Sequence, residues 1–123
     1  MLFDWNTYKD LAEELRIRDD EASKRSAISR LYYSVYWQAR NLLEKEDVDF
    51  HVSAENSHAT VWRKFNNQGH SRRTVFNNGQ RLKEYRQMAD YESEINKLED
   101  TVEASFIIAE QIIRTLNSLS GNK

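Results

Sequence analysis

The sequence lacks the residues that most often cross-link or bend a chain. Its 123 residues include no cysteine, no proline and three glycines, whereas average usage at this length gives roughly six prolines and nine glycines. Without cysteine there is no disulfide, no thiolate ligand for a metal and no cysteine nucleophile. Because strands are joined by turns that use glycine and proline, the shortage argues against an all-β sandwich or barrel. We therefore expect an all-α protein.

Long apolar runs are missing as well. Among the longest strictly apolar runs is the segment 106–109, and a helix needs about 20 apolar residues to cross a bilayer. The segment that begins at Met1 meets a charge at Asp4 and has no apolar core of a signal peptide. These features predict one cytoplasmic domain over residues 1–123 that contacts no membrane.

Apolar residues recur at every third or fourth position and predict helices along most of the chain. The last and most regular pattern starts from a cap at Ser93 and runs past Leu116. The second helix is apolar on nearly every side, so we expect it at the centre of the fold or at a subunit interface. Short links between the helices predict an antiparallel bundle of four to five helices. The first, third and fourth helices are expected over residues 5–16, 54–67 and 72–90, and the second from the acidic cluster 19–21 to about residue 46.

Polar residues and glycines predict where these helices begin and end. Asp4 can cap the first helix, the acidic cluster 19–21 suits the start of the second, and Gly69 suits a left-handed cap after the third. The run Asn77-Asn78-Gly79 is also a good hairpin turn. The apolar spacing nevertheless continues through it. We therefore expect an unbroken fourth helix in which Gly79 lets a neighbour approach closely.

The net charge of −2 conceals an uneven distribution. Residues 51–90 carry seven basic and three acidic side chains, or +4, and also all three histidines, whereas residues 1–50 and 91–123 carry −3 each. Such a basic segment can bind phosphates and move protons; alternatively, it is a solvated helix face paired with acidic neighbours. The residues predicted to bind RNA are Arg63, Lys64, His70, Arg72, Arg73, Arg81 and Lys83.

Two short motifs on the predicted second and fourth helices resemble those of the HEPN domain family. The first is Ser-Ala-Ile-Ser-Arg-Leu-Tyr-Tyr at residues 26–33, and the second is Leu-Lys-Glu-Tyr-Arg-Gln-Met-Ala-Asp-Tyr at residues 82–91. Between them, Ser57-His58 and the segment 62–65 resemble the intervening helix of that family. The resemblance covers nearly the whole chain, and the order and spacing of the motifs make it more specific than either motif alone.

The resemblance implies a bundle of four or five helices, usually dimeric, found in toxin–antitoxin, phage-defence and RNA-processing systems. Many HEPN proteins are metal-independent endoribonucleases. Their signature is an arginine followed by a histidine with four to six residues between them, and both protomers contribute to one site. The histidine suits removal of the RNA 2′-hydroxyl proton, and the arginine suits the charge that the phosphate gains. A homodimer, an RNA partner and a cognate antitoxin or nucleotidyltransferase-type protein are therefore expected.

Three residues of this chain are candidates for a catalytic role by that resemblance. Arg86 matches the motif arginine, and Tyr91 stands where the ribonuclease motif has histidine. Because an ordinary tyrosine has a pKa near 10 and a histidine one near 6.5, Tyr91 is a poor base at pH 7, although it can orient a phosphate or donate a proton. Arg30 is expected to hold the phosphate. In the structural alternative, Asp90 pairs with Arg86 at i+4 and Arg30 donates a hydrogen bond to Asp90.

The remaining candidates have weaker support. Arg63 and His70 also fit the spacing of the ribonuclease motif, but we expect a helix break between them. His58 is interpreted as a contact at a helix start, with a catalytic base as the alternative. No two histidines have the i, i+4 spacing of a helical metal site, so no metal or other cofactor is expected. The aromatic residues predicted to form core and dimer interface, with nucleobase stacking as the alternative, are Tyr32, Tyr33, Tyr36 and Trp37.

Two functions stay open at this stage. The first is an RNA-binding HEPN protein of a toxin–antitoxin or phage-defence module that also acts as a metal-independent endoribonuclease. Arg86 and Arg30 would then contact the phosphate, and Tyr91 or a histidine of the basic segment would handle the proton. The second is a catalytically inactive HEPN domain that serves as a protein-interaction module or antitoxin.

Overall fold

The computed structural model describes residues 2–52, 55 and 57–121, and its regular structure consists of helices alone. The second helix is the centre of the bundle, since it packs against each of the other four. This arrangement confirms the all-α prediction and the central place of the second helix. The elements are α1 (Asn6–Arg16), α2 (Glu21–Glu46), α3 (Ser57–Phe65), α4 (His70–Tyr91) and α5 (Leu98–Leu119).

The first two helices begin where the acidic residues predict. The Asp4 carboxylate accepts the backbone N–H of Asn6 at 3.0 Å, and the Asp20 carboxylate accepts that of Ser23 at 2.9 Å. The Ser23 hydroxyl also donates to the Asp20 carboxylate. The hydrogen bond from the hydroxyl and, to a smaller extent, that from the backbone lower the pKa of Asp20. Both carboxylates satisfy donors that a helix start would otherwise leave free.

The burial of α2 on several sides explains its central place. Fully burying a leucine-sized side chain stabilises a fold by about 1.5–3 kcal/mol. The buried side chains of α2 lie on several sides of the helix. The side chains of α2 with no exposed surface include Ala27, Ile28, Leu31, Tyr32, Val35 and Ala39.

The link between α3 and α4 differs from the prediction. α3 ends at Phe65, and Asn67 takes the left-handed conformation, with φ of 66°, that the prediction assigns to Gly69. Gly69, with φ of 96°, is instead the N-cap of α4, which begins at His70 rather than at residue 72. Both asparagine and glycine tolerate positive φ, so composition does not decide which of them uses it. The predicted start of the third helix at Ala54 lies outside the described residues.

The start of α5 is also a correction, because the helix begins at Leu98 and not from a cap at Ser93. The Ser93 carbonyl accepts Nη2 of Arg25 at 3.3 Å, and the same guanidinium donates to two backbone carbonyls at the end of α4. A cation is favourable at the C-terminus of a helix, where carbonyls lack partners. Arg25 thus holds the chain in a non-helical path after α4, and α5 starts only after Lys97, whose φ is 56°.

The glycine inside α4 is a packing device. The helix continues without a break through Gly79, so the hairpin alternative is wrong. A Cβ atom on Gly79 would lie less than 3.0 Å from three ring atoms of Trp62. The absence of a side chain therefore lets the Trp62 ring of α3 lie directly against α4, which confirms the predicted close approach.

Within the described residues, no helix combines the length and apolar character required to span a membrane.

Candidate functional site

A chain of hydrogen bonds joins α3 to α2 in the interior. His58 and Trp62 are one helical turn apart, so their side chains share one face of α3. The Nε1–H of Trp62 donates to the Tyr32 hydroxyl at 3.0 Å, and that hydroxyl lies 2.8 Å from His58 Nδ1. Trp62 and Tyr32 have no exposed surface. Burial raises the pKa of Tyr32 far above its ordinary value, so its hydroxyl keeps its proton at every physiological pH.

Aromatic rings of α2 surround the imidazole of His58. The ring centroid of His58 lies 4.3 Å from that of Tyr36, 5.5 Å from that of Tyr32 and 5.8 Å from that of Tyr33. Tyr36 is buried, whereas Tyr33 and His58 itself are half-buried. One edge of the histidine environment therefore reaches the surface.

This environment keeps His58 uncharged. Burial, followed by the positive charges of Arg86, Lys83 and Arg40, lowers the pKa of His58 from 6.5 to about 4. At neutral pH the imidazole is therefore in its neutral form, with one ring nitrogen that donates and one that accepts. Nδ1 is engaged with Tyr32, and Nε2 has no hydrogen-bond partner among the described residues.

Arg86 is the buried cation beside this histidine. It is 7 % exposed, and its guanidinium carbon lies 5.3 Å from the ring centroid of Tyr32 and 5.7 Å from that of Tyr33. Its Nη1 is 3.6 Å from Oδ2 of Asp90, which is an ion pair but too long for a hydrogen bond. Within the described residues, the buried Nε of Arg86 has no hydrogen-bond partner. Since a buried donor without an acceptor costs about 1–3 kcal/mol, a ligand that supplies an acceptor here would be favoured.

Arg40 and Lys83 add two further cations. The buried Nε of Arg40 also has no hydrogen-bond partner in the described part of the chain. Its Nη1 donates to the Tyr36 hydroxyl at 3.4 Å, and Glu44 lies 3.6 Å from its Nε. Lys83 is half-buried on α4. With three cations and a neutral histidine, the group is suited to an anion. We call it the His58 cluster: His58, Tyr32, Tyr33, Tyr36, Trp62, Arg40, Lys83 and Arg86.

Tyr91 lies apart from the His58 cluster. It is the last residue of α4 and is 77 % exposed, and it makes no hydrogen bond, ion pair or ring contact within the described residues. Asp90, its neighbour, is the carboxylate beside Arg86. Arg86 and His58 thus pack against the same two rings, Tyr32 and Tyr33, whereas Tyr91 makes no hydrogen bond or ring contact with Arg86.

Arg30 also lies elsewhere, on the side of α2 that faces α1. It is exposed, and its guanidinium carbon is 5.1 Å from the ring centroid of Tyr8. The hydrogen bond to Asp90 comes from the Ser29 hydroxyl at 3.3 Å. The expected hydrogen bond from Arg30 to Asp90 is therefore wrong, because one residue along a helix rotates the side chain by roughly 100°.

The four predicted aromatic residues divide between the two sides of α2. Tyr32, Tyr33 and Tyr36 belong to the His58 cluster. Trp37 instead stacks on Trp5, with 4.7 Å between ring centroids and 6° between the planes. The burial of Tyr32 and Tyr36 agrees with the prediction of a core role, and a dimer interface stays a prediction.

Most of the predicted RNA-binding residues lie on the surface of α3 and α4. Arg72 and Lys83 are the exceptions, since both are half-buried. Arg72 forms a double hydrogen-bonded ion pair with Glu46 and also contacts Gln68. Arg63 ends up in the last turn of α3 and His70 at the start of α4, so the expected helix break between them is confirmed. The exposed residues of the set are Arg63, Lys64, His70, Arg73 and Arg81.

Comparison with known proteins finds no match. Neither the known protein-family models, nor the curated proteins, nor the solved structures include one that matches this chain. Within the described residues, no group of three or more histidine, aspartate or glutamate side chains could hold a metal ion.

Sequence reasoning did not find the hydrogen-bonded core of the site, although two spacings point towards it. His58 and Trp62 are four residues apart on α3, and Gly79, Lys83 and Arg86 follow steps of four and three on α4. Each set therefore lies along one helix face. These spacings do not say which faces meet, because the contacts join residues that are distant in sequence.

Proposed function

We propose that this chain is a HEPN-like protein that binds RNA through the phosphate backbone at the His58 cluster. The observation that carries the proposal is the buried guanidinium of Arg86, whose Nε has no hydrogen-bond partner in the described residues and whose one nearby carboxylate is at 3.6 Å. A phosphate oxygen would supply the missing acceptor. Arg40 and Lys83 add charge at the half-buried edge of the same cluster.

The proposal depends on the balance of charge around Arg86. Asp90 and Glu44 partly offset Arg86 and Arg40, while Lys83 has no carboxylate within ion-pair distance among the described residues. Arginine matches a phosphate through several donors in one plane, and bonds between ionised partners are about twice as strong as neutral ones. A buried cationic group of this kind therefore favours a phosphate over a neutral ligand.

RNA is favoured over a small anion by an aromatic ring of the cluster and by further cations on the same helices. Tyr33 is half-buried and can stack on a base. The helices α3 and α4 also carry exposed basic residues, including Arg63, Lys64 and Arg81. Contacts to successive phosphates account for most non-specific affinity for nucleic acids.

Binding of a labelled single-stranded RNA oligonucleotide at several salt concentrations tests this proposal. Lys83→Ala should weaken binding by roughly fivefold to tenfold and reduce the slope of log affinity against log salt by about 0.7, the value for one phosphate contact on a single strand. Arg114→Ala is the matched control, because Arg114 is an exposed cation of α5. Equal effects of the two substitutions, or no binding by the wild type, would contradict the proposal.

Cleavage of the bound RNA is the second candidate function. The observation that favours it is the neutral state of His58 beside Arg86, since a neutral imidazole is the form that accepts a proton. Arg86 would then stabilise the charge on the phosphorus in the transition state. Incubation with labelled RNA, with and without EDTA, distinguishes the two functions. Cleavage that persists in His58→Gln would remove His58 from the reaction.

The exposed Tyr91 offers a test of the catalytically inactive alternative, in which the chain is an interaction module or antitoxin. Tyr91→His restores the residue of the ribonuclease motif at a position that is 77 % exposed, so folding should be unaffected. Gain of ribonuclease activity would show a competent scaffold that lacks only a base. Retention of a partner protein by Lys83→Ala without RNA binding would favour the interaction module.

A further inference from the structure

We infer that Tyr32 and Trp62 are positioning residues that hold neutral His58 in its Nε2–H form, so that His58 donates a hydrogen bond to a phosphate oxygen and does not act as a base. The inference rests on the proposed function for the identity of the ligand. The form of the imidazole follows from the hydrogen bonds alone.

The direction of the hydrogen bonds starts at Trp62. Its indole N–H is a donor only, so at 3.0 Å from the Tyr32 oxygen it must donate to it. The Tyr32 hydroxyl then has its own proton to place, and both residues are fully buried. Among the described residues, His58 Nδ1 at 2.8 Å is the acceptor within reach. Tyr32 therefore donates to Nδ1.

The opposite arrangement would leave a buried donor without an acceptor. If Nδ1 carried the proton and donated to Tyr32, the Tyr32 oxygen would receive two hydrogen bonds, and its own O–H would point into the core. An unpaired donor in the core is unfavourable because it loses water without replacement. In neutral histidine, an accepting Nδ1 places the proton on Nε2.

The groups around the ring keep it neutral and direct it towards an anion. From α2, the neighbours are the three tyrosines and the cation Arg40; from α4, they are Lys83 and Arg86. The two nearby carboxylates, Glu44 and Asp90, pair with Arg40 and Arg86. Nε2–H and these cations are therefore all donors. Such a set recognises the oxygens of a phosphate and leaves the 2′-hydroxyl proton without an acceptor on His58.

Gly79 ties this arrangement to the fold. Its lack of a side chain lets Trp62 lie against α4, and the position of Trp62 sets that of the Tyr32 hydroxyl. The tautomer of His58 therefore depends on the packing between α3 and α4.

Long-range ¹H–¹⁵N correlation of the full chain with ¹⁵N-labelled histidine tests the inference directly. At pH 7 the wild type should show His58 protonated at Nε2 alone, and the Nε2–H resonance should shift when the single-stranded RNA oligonucleotide or inorganic phosphate is added. A His58 ring protonated at Nδ1, or at both nitrogens, would overturn the inference while leaving RNA binding intact. An Nε2–H ring that does not respond, in a protein that binds no RNA, would overturn the proposed function and the donor role together.

Tyr32→Phe provides the matched variant, because it removes the hydroxyl and keeps the ring. Without the hydroxyl, the Nε2–H tautomer of His58 is no longer favoured, so both neutral tautomers should become populated. RNA binding should weaken about threefold to tenfold. Tyr8→Phe is the control, because Tyr8 is a half-buried tyrosine of α1 that lies outside the His58 cluster. Unchanged His58 resonances in folded Tyr32→Phe would overturn the positioning role. If Tyr32→Phe fails to fold, the wild-type spectrum still decides.

Discussion

On one side of α2, Tyr32 and Tyr36 meet α3 and α4; on the other, Arg30 and Trp37 meet α1. The first side is buried and linked by hydrogen bonds that end at a neutral histidine. The second side is held by ring contacts near the surface, where Trp37 stacks on Trp5 and Arg30 lies over Tyr8. Residues of one short motif thus serve an interior polar site and an exterior aromatic contact.

The difference shows how depth decides what an aromatic residue or an arginine does. Arg86 and Arg30 both belong to the two motifs, yet one is 7 % exposed near His58 and the other is exposed on the side of α2 that faces α1. A buried cation must find acceptors, whereas an exposed one is solvated by water. The inner side of α2, which meets α3 and α4, therefore holds the buried polar groups, and the outer side, which meets α1, is held by ring contacts near the surface.

The largest effect on stability is expected from substitution of Trp62, which packs against the inner side of α2. Trp62→Ala should lower the free energy of unfolding by about 3–5 kcal/mol, because it leaves a cavity and removes the donor to Tyr32. Trp37→Ala on the outer side should cost about 1–2 kcal/mol, since Trp37 is half-buried and loses a ring stack. Urea unfolding measures both. Equal costs would remove the contrast in depth.

The second largest effect is expected at the close contact between α3 and α4, where Trp62 lies against Gly79. Gly79→Ala should lower the free energy of unfolding by about 1–3 kcal/mol through overpacking against Trp62, although alanine is the better helix former. Asn77→Ala is the matched control, exposed and two residues earlier in α4, and should be neutral or slightly stabilising. Thermal unfolding measures the stability of the two variants. A Gly79→Ala variant more stable than the wild type would contradict the close contact.

The neutral histidine predicts a dependence of stability on pH. Unfolded His58 takes up a proton below pH 6.5, whereas the folded pKa is about 4. The unfolded state therefore binds more protons between these values, and stability is complete above pH 6.5 and falls as the pH drops towards 4. For a half-buried ring the loss should be about 2 kcal/mol.

The pH effect is measured as the difference between the wild type and His58→Gln in urea unfolding at several pH values. His70→Gln, which alters an exposed histidine at the start of α4, is the control and should keep the wild-type profile. Parallel profiles for the wild type and His58→Gln would contradict the neutral, buried state of His58.

The smallest effect is expected from the exposed arginine of the outer side. Arg30→Gln should lower the free energy of unfolding by about 0.5–1 kcal/mol, the usual worth of an exposed cation over an aromatic ring. RNA affinity should change no more than in Arg114→Ala. A loss of RNA binding as large as that of Lys83→Ala would place Arg30 in the site and abolish the distinction between the two sides of α2.

Local patterns predicted the helices well, and link regions less well. Apolar periodicity located all five helices, and the carboxylates of Asp4 and Asp20 mark two of their starts. Ser93 also looked like a cap, but Arg25 from α2 binds its carbonyl. A contact between residues so far apart in the chain overrides a local preference that is worth about 1 kcal/mol.

The candidate site was predictable in part for the same reason. Arg86 followed from a motif within one helix. His58 did not, because it lies on α3 and is brought near Arg86 of α4 by the packing of both side chains against Tyr32 of α2. Spacing within a helix predicts which residues share a face and leaves open which faces meet.

By itself, the sequence determined an all-α protein with a central α2 and a glycine that permits close packing, because periodicity and backbone freedom are local properties. Only the tertiary structure decided that His58, and not Tyr91, lies beside Arg86, and that Arg30 faces α1. Burial, charge and hydrogen-bond direction at His58 depend on three helices at once. The charge state and the tautomer of His58 are therefore set by the packing of these helices and not by the local sequence.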